Sequence, residues 1–183
     1  GEPALARLLL PALPPCGYHR VELLADGAVF AACTLIVTPE RCYQPQAVQG
    51  DGRVFGPAVQ LYAVRSESNW GVGDFTDLLA IVEQWAARGA DVVGLNPLHA
   101  MFLHDPHHAS PYSPSSRLFL NVIYIDCERV PDLGESAPAR EHVRSAEMQN
   151  RLSALRAQPL VDYAAVLGRK LRVLEMAYAG FRE

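Results

Sequence analysis

The chain has 183 residues and a formal net charge of −4, with 50% hydrophobic, 20% charged and 8% aromatic residues. That composition belongs to a folded globular protein and excludes a disordered chain. The mild acidity leaves no electrostatic footprint for nucleic acid or an anionic membrane, so a small molecule or a neutral polymer is the expected partner. No apolar run reaches the roughly 18–20 residues of a membrane-spanning helix, and the length is short for a complete (β/α)8 barrel of about 250 residues. Gly1 is not preceded by Met, a basic leader or a signal-type cleavage site, which implies that it follows a cut or a tag.

The first zone runs from Gly1 to Gly56. After the proline-rich stretch Pro11–Pro15, the alternating run Tyr18–Leu24 predicts a strand, and Asp26-Gly27 predicts a two-residue hairpin turn. Val29–Val37, rich in apolar and β-branched residues, predicts the partner strand, ended by Thr38-Pro39 because a residue before proline is held extended. A lone hairpin is marginal in water, so this zone reads as the end of an antiparallel sheet whose other strands lie upstream.

The second zone, Pro57 to about Asp132, reads strand, turn, helix, strand. Val59–Val64 and Asp91–Leu95 have the apolar character of buried strands. Between them Phe75, Leu78, Leu79, Val82, Trp85 and Ala86 fall on one face of a helix over Phe75–Arg88. Asp74 is placed to cap it, Asp77 suits its first turn, and Gly89 suits its stop. This spacing is that of a parallel βαβ unit. A long irregular segment, Asn96–Asn121, follows, then a strand-like run, Val122–Cys127. The third zone, Pro138 to Glu183, is helical: one helix over Ser145–Ala157, closed by Pro159, and one carrying the stripe Leu167, Leu171, Leu174, Tyr178 and Phe181. Cys16, Cys33, Cys42 and Cys127 show no CxxC pairing and are expected as buried, reduced thiols of a cytoplasmic protein.

Several groups could carry chemistry. Gly71-Val72-Gly73 resembles a dinucleotide loop only in part, because Thr76 stands where the third glycine is required. The glycines instead supply a low-bulk turn beyond a strand end, the edge where parallel α/β folds bind ligands. On that turn Asn69 and Trp70 have the chemistry of sugar contacts, an amide and a broad apolar face; the alternative is that Trp70 packs against the sheet rim. His99 follows the second strand by four residues and could donate into a site at the strand end. His104, His107, His108 and Asp105 lack any HExxH or CxxC frame, so no metal is expected. Ser110-Pro111-Tyr112-Ser113-Pro114-Ser115-Ser116-Arg117 is a proline-stiffened, hydroxyl-rich loop in which Tyr112 offers a ring to stack on a sugar. No GxSxG elbow surrounds its serines, and no pair of acids stands out as the two carboxylates of a glycosidase.

These segments resemble the bacterial amylomaltases, the 4-α-glucanotransferases of glycoside hydrolase family 77. The resemblance is carried by Gln60–Phe75, with its Ser68-Asn69-Trp70-Gly71-Val72-Gly73-Asp74 core, and by Gly94-Leu95-Asn96-Pro97-Leu98-His99-Ala100. The Ser110–Arg117 loop and Asn121–Asp126 continue it. Gly17–Arg20 and Leu35–Glu40 are similar to the end of the N-terminal β-sandwich of the long members, and Leu160–Tyr163 to the helical insertion. The resemblance implies an α/β fold, an incomplete (β/α)8 barrel start with a helical insertion, preceded by the end of an antiparallel β-sandwich. The implied domains are residues 1–56, 57–137 and 138–183. It also implies retaining transfer of α-1,4-glucan segments to the 4-hydroxyl of an acceptor glucan or glucose, with no cofactor. The family's three catalytic carboxylates are expected on later strands, so none is assigned here and the chain alone is expected to be inactive, needing the remainder of its barrel as partner. The implied substrate-binding residues are Tyr112, Ser110, Trp70, Asp74 and His99. A non-catalytic α-glucan-binding module is the alternative.

Overall fold

The computed structural model describes residue 7 and residues 9–182. The reading of Gly1 as a cut end therefore lies outside the described residues, as does the last residue of the helical zone, Glu183. The chain divides into two compact units, residues 1–52 and 53–183.

The first unit holds an antiparallel hairpin of β1 (Gly17–Ala25) and β2 (Ala28–Val37). Asp26 and Gly27 have φ of 49° and 79°. Both central residues thus adopt the left-handed conformation of a tight hairpin turn, which Asp-Gly supports at low cost. Leu23 pairs with Ala31 and Leu24 with Val29, so Phe30 is left over as a bulge. His19 and Val21 are half-buried while Tyr18, Arg20 and Glu22 are exposed, in keeping with a period of two.

In the second unit β3 (Ala58–Val59) and β4 (Gly94–Leu95) pair in parallel around α1 (Phe75–Ala86). Both strands are far shorter than expected. The buried Asn96 side chain takes the Leu61 N–H at 2.8 Å, and residues Leu61–Ala63 turn into a 3-10 helix instead of continuing the ladder. Asp91–Leu95 is not the expected buried strand: Val92 and Leu95 are exposed. A second departure is the segment after β4, which is not wholly irregular. β5 (His99–Ala100) pairs antiparallel with β6 (Ser116–Leu120). A third is Val122–Cys127, which forms two 3-10 turns rather than a strand. Asn121 and Asp126 accept the Ile123 and Glu128 N–H groups at 3.1 and 3.0 Å, and these side-chain caps compete with strand pairing.

Helix α1 begins as predicted. Asp74 accepts the N–H groups of Thr76 and Asp77 at 3.0 and 3.1 Å, and Asp77 accepts the Asp74 N–H at 3.0 Å, a reciprocal cap. Its outer apolar residues Leu79, Val82 and Trp85 are exposed in this chain rather than buried. The helical part starts earlier than position 138, with α2 (Pro131–Glu135) and α3 (Ala137–Arg144), and continues through α4 (Ala146–Ala157) to α5 (Tyr163–Phe181). In α5 the deepest line is Val166, Lys170, Val173 and Ala177, one position off the predicted stripe. Leu167 is buried, but Tyr178 and Phe181 stack on each other in solvent, 6.2 Å apart.

The core joins Leu61, Trp70 and Val72 from the turn before α1, Ile123, Tyr124 and Cys127 from the 3-10 turns, and Met148, Leu152, Val166 and Val173 from the helices. Contrary to expectation, only Cys127 is a buried thiol; Cys16, Cys33 and Cys42 are exposed, and all four are free. Among the described residues no helix is long and apolar enough to cross a membrane.

Candidate functional site

The turn before α1 is closed by its own polar groups. Asn69 is buried; its amide donates to Asp77 Oδ2 at 2.9 Å and to the Val64 carbonyl at 3.2 Å, and its Oδ1 accepts the Gly71 N–H at 3.1 Å. Arg156 of α4 donates to the Asn69 carbonyl at 2.7 Å, and Arg65 to the Gly71 carbonyl at 2.9 Å. The glycines serve close packing rather than ligand approach: a Cβ on Gly71 would stand 2.8 Å from Leu155 Cβ, and one on Gly73 would stand 2.1 Å from the Leu61 carbonyl oxygen. Trp70 is only 2% exposed, with its Nε1 donating to Glu128 at 3.0 Å. Asp74 is buried as the helix cap, and burial raises its carboxyl above the usual range, opposed by the Asp77 N–H and by Lys170. Neither Trp70 nor Asp74 presents free surface.

The other three candidates lie along the segment after β4. His99, half-buried on β5, lines a pocket with Tyr62, Tyr124 and Tyr163. Ala109 and Pro111 line the same pocket, so Ser110 and Tyr112 flank it on one loop; both are exposed, Tyr112 at 71%. The loop is anchored by Ser115, whose N–H donates to the Ala100 carbonyl at 3.0 Å and whose hydroxyl lies 3.0 Å from the carbonyls of Ala100 and Met101. The structure thus brings His99 together with the 109–112 segment. It does not bring Trp70 or Asp74 to that pocket.

The pocket is small, about 30 Å³, enough for one or two waters. Its tyrosines were not singled out from the sequence, where they are scattered with no periodic signal. Tyr62 and Tyr163 lie 6.4 Å apart. Burial, with Tyr124 and Tyr62 adding, pushes the Tyr163 phenol up to about 12. Burial also raises the Tyr124 phenol, against the Asn96 amide that donates to its oxygen at 3.1 Å. The Tyr124 and Tyr163 phenols therefore stay neutral near pH 7, and the three tyrosines present ring faces and hydroxyls, the mixed surface that suits a polyol ring. His104 and His108 pack on Phe102, with ring centres 5.8 and 4.9 Å away. Among the described residues no three His, Cys, Asp or Glu side chains are grouped to hold a metal ion.

A parallel strand–helix–strand unit with a loop-built pocket beyond its second strand is an α/β ligand-binding arrangement, and comparison with known proteins gives it a family. The family model described as 4-alpha-glucanotransferase matches residues 59–183, and that described as MalQ N-terminal beta sandwich domain matches residues 2–39. The 4-alpha-glucanotransferase of Haemophilus influenzae is 38% identical over 183 residues, 99% of this chain and 26% of that protein. The 4-alpha-glucanotransferase of Mycobacterium bovis is 44% identical over 136 residues, 70% of this chain and 18% of that protein. The crystal structure of amylomaltase from Corynebacterium glutamicum superposes with a TM-score of 0.70 at 31% identity, covering 92% of this chain and 24% of that one. The chain belongs to glycoside hydrolase family 77, the 4-alpha-glucanotransferases. It spans about a quarter of the length of the Haemophilus influenzae relative.

Proposed function

We propose that this chain is the N-terminal part of a cytoplasmic 4-α-glucanotransferase, comprising the end of a β-sandwich (1–56), the first βα units of a barrel (57–137) and a helical insertion (138–183). The complete enzyme moves α-1,4-glucan segments to the 4-hydroxyl of an acceptor glucan or glucose by retaining double displacement. The observation that carries this reading is the family match over residues 59–183, which includes the parallel β3–α1–β4 unit and the loop after it.

In this reading the chain binds and the remainder of the barrel cuts. The buried acids Asp74 and Asp77 are occupied by helix capping, which leaves them no part in bond cleavage. Tyr112 and Ser110 contact the sugar from the exposed loop, and His99 contributes from the pocket beneath it. Trp70 and Asp74 act from behind, by fixing the turn on which the first barrel helix starts. The pocket itself is too small for a glucose unit, so the sugar lies on its rim.

The test has two arms. The complete protein should convert maltotriose to glucose and longer maltodextrins, while this chain alone leaves it unchanged; simple hydrolysis, or no action on α-1,4-glucans by the complete protein, overturns the transferase reading. Calorimetry of this chain with maltoheptaose should show heat that a Tyr112→Ala variant loses. Binding without turnover by the complete protein would favour the non-catalytic glucan module.

A further inference from the structure

Lys170 is the one lysine in the sequence; the other fifteen of its sixteen Lys and Arg residues are arginine. That lysine is 1% exposed, the most deeply buried cation in the chain among the described residues. A buried ammonium is costly, and an ordinary core position takes an apolar residue instead. Here it donates to two backbone carbonyls, Ile123 at 2.7 Å and Ile125 at 2.6 Å. Among the described residues the ion pairs within 4.0 Å are Arg20–Glu22 and Arg151–Glu147, so no carboxylate contacts it directly. Asp74 and Asp77 at the start of α1, and Asp126 and Cys127 on the 3-10 turns, bear on it from farther away. Burial lowers its pKa, opposed by Cys127 and then by the three carboxylates.

The two carbonyls belong to a turn without strand partners. Between them sits Tyr124, whose hydroxyl oxygen accepts from Asn96 at 3.1 Å, while Asn96 Oδ1 takes the Leu61 N–H at 2.8 Å. Asn121, Ile123 and Tyr124 form one wall of the pocket beside His99, and Leu167, one turn from Lys170 on the same helix, lines it too. The ammonium supplies three rotatable donors from one nitrogen, whereas the donors of an arginine are fixed in the plane of its guanidinium, so the two are not interchangeable at this contact.

We propose that Lys170 is a positioning residue: from helix α5 it clamps the Ile123 and Ile125 carbonyls and so fixes Ile123 and Tyr124, which line the pocket beside His99, together with the Asn96–Leu61 hydrogen bonds behind Tyr124. The clamp does not depend on which ligand the pocket takes.

The test follows one side chain. In the complete native protein an amine-reactive reagent should leave Lys170 unmodified, and after unfolding in urea it should modify it, as read on the peptide that carries residue 170; native modification of Lys170 at the unfolded rate overturns the clamp. In a Lys170→Met variant the amides of Tyr124, Ile125 and Leu61 should exchange with deuterium about tenfold faster, while those of α4 keep their native rates. Unchanged exchange at the three amides, or equal acceleration through α4, shows a packing role only and overturns it. If that variant does not fold, the native chain labelled with 15N-lysine decides: a single, slowly exchanging Nζ signal titrating below the ordinary lysine range supports the clamp, and a fast-exchanging one refutes it.

Discussion

The indole of Trp70 donates to the Glu128 carboxylate at 3.0 Å across 58 residues of chain, tying the turn before α1 to the second 3-10 turn. This contact makes Trp70 a core residue with one polar handle. Trp70→Ala should cost about 3–5 kcal/mol, as large-to-small core changes do. Glu128→Gln keeps an acceptor and should cost less than about 1 kcal/mol. Urea unfolding of both variants checks the difference; a Trp70→Ala cost below that of Glu128→Gln would mean that Trp70 does not hold the core.

The reciprocal cap between Asp74 and Asp77 sets the start of α1. Asp74→Ala should destabilise by about 0.5–2 kcal/mol. Asp74→Asn keeps an accepting oxygen and removes a carboxylate whose ionisation burial disfavours, so it should fall within about 0.5 kcal/mol of the parent. Thermal melts near neutral pH distinguish them. Equal losses from both changes would show that the charge, not the hydrogen bond, matters.

Gly71 and Gly89 both have positive φ, 91° and 82°, yet only Gly71 has a neighbour where a Cβ would go. Gly89→Ala should cost only the backbone strain, about 1 kcal/mol. Gly71→Ala adds a clash with Leu155 and should cost roughly 1–3 kcal/mol more. Denaturation midpoints compare the two directly, and equal shifts would contradict the close approach of α4.

Cys127 separates from the other thiols by burial. A thiol reagent should titrate three cysteines in the native chain and four after unfolding. Burial pushes the Cys127 thiol up to about 12 from an ordinary value of 9, with Lys170 opposing. The folded state therefore keeps a proton that the unfolded state has lost. Stability on this account is complete below pH 9 and declines as pH rises toward 12, at up to about 1.4 kcal/mol per pH unit. Between pH 9 and 12 a Cys127→Ala variant should show a flatter decline than the parent; an unchanged slope would contradict the burial of this thiol.

How much of this was readable in advance depends on the range of the interactions. Asp26-Gly27 specified the hairpin, Asp74 with Asp77 the start of α1 and Gly89 its stop, because each acts through bonds spanning a few residues. The same local reading overran at Val59–Val64 and Val122–Cys127. There the apolar β-branched pattern favours strands, but the buried Asn96 and Asn121 and half-buried Asp126 side chains capture backbone N–H groups that a ladder would need.

The site divides in the same way. The hydroxyl-rich loop carrying Ser110 and Tyr112, and the position of His99 just past a strand, were visible in the one-dimensional pattern. That Trp70 and the two glycines face inward, that Tyr62, Tyr124 and Tyr163 meet beside His99, and that Lys170 reaches carbonyls 45 and 47 residues away were not. Nearby residues encode turns, caps and helix starts through their own conformational preferences. Which polar groups are buried, and what they hold in place, is decided only when distant segments pack and each desolvated donor must find an acceptor.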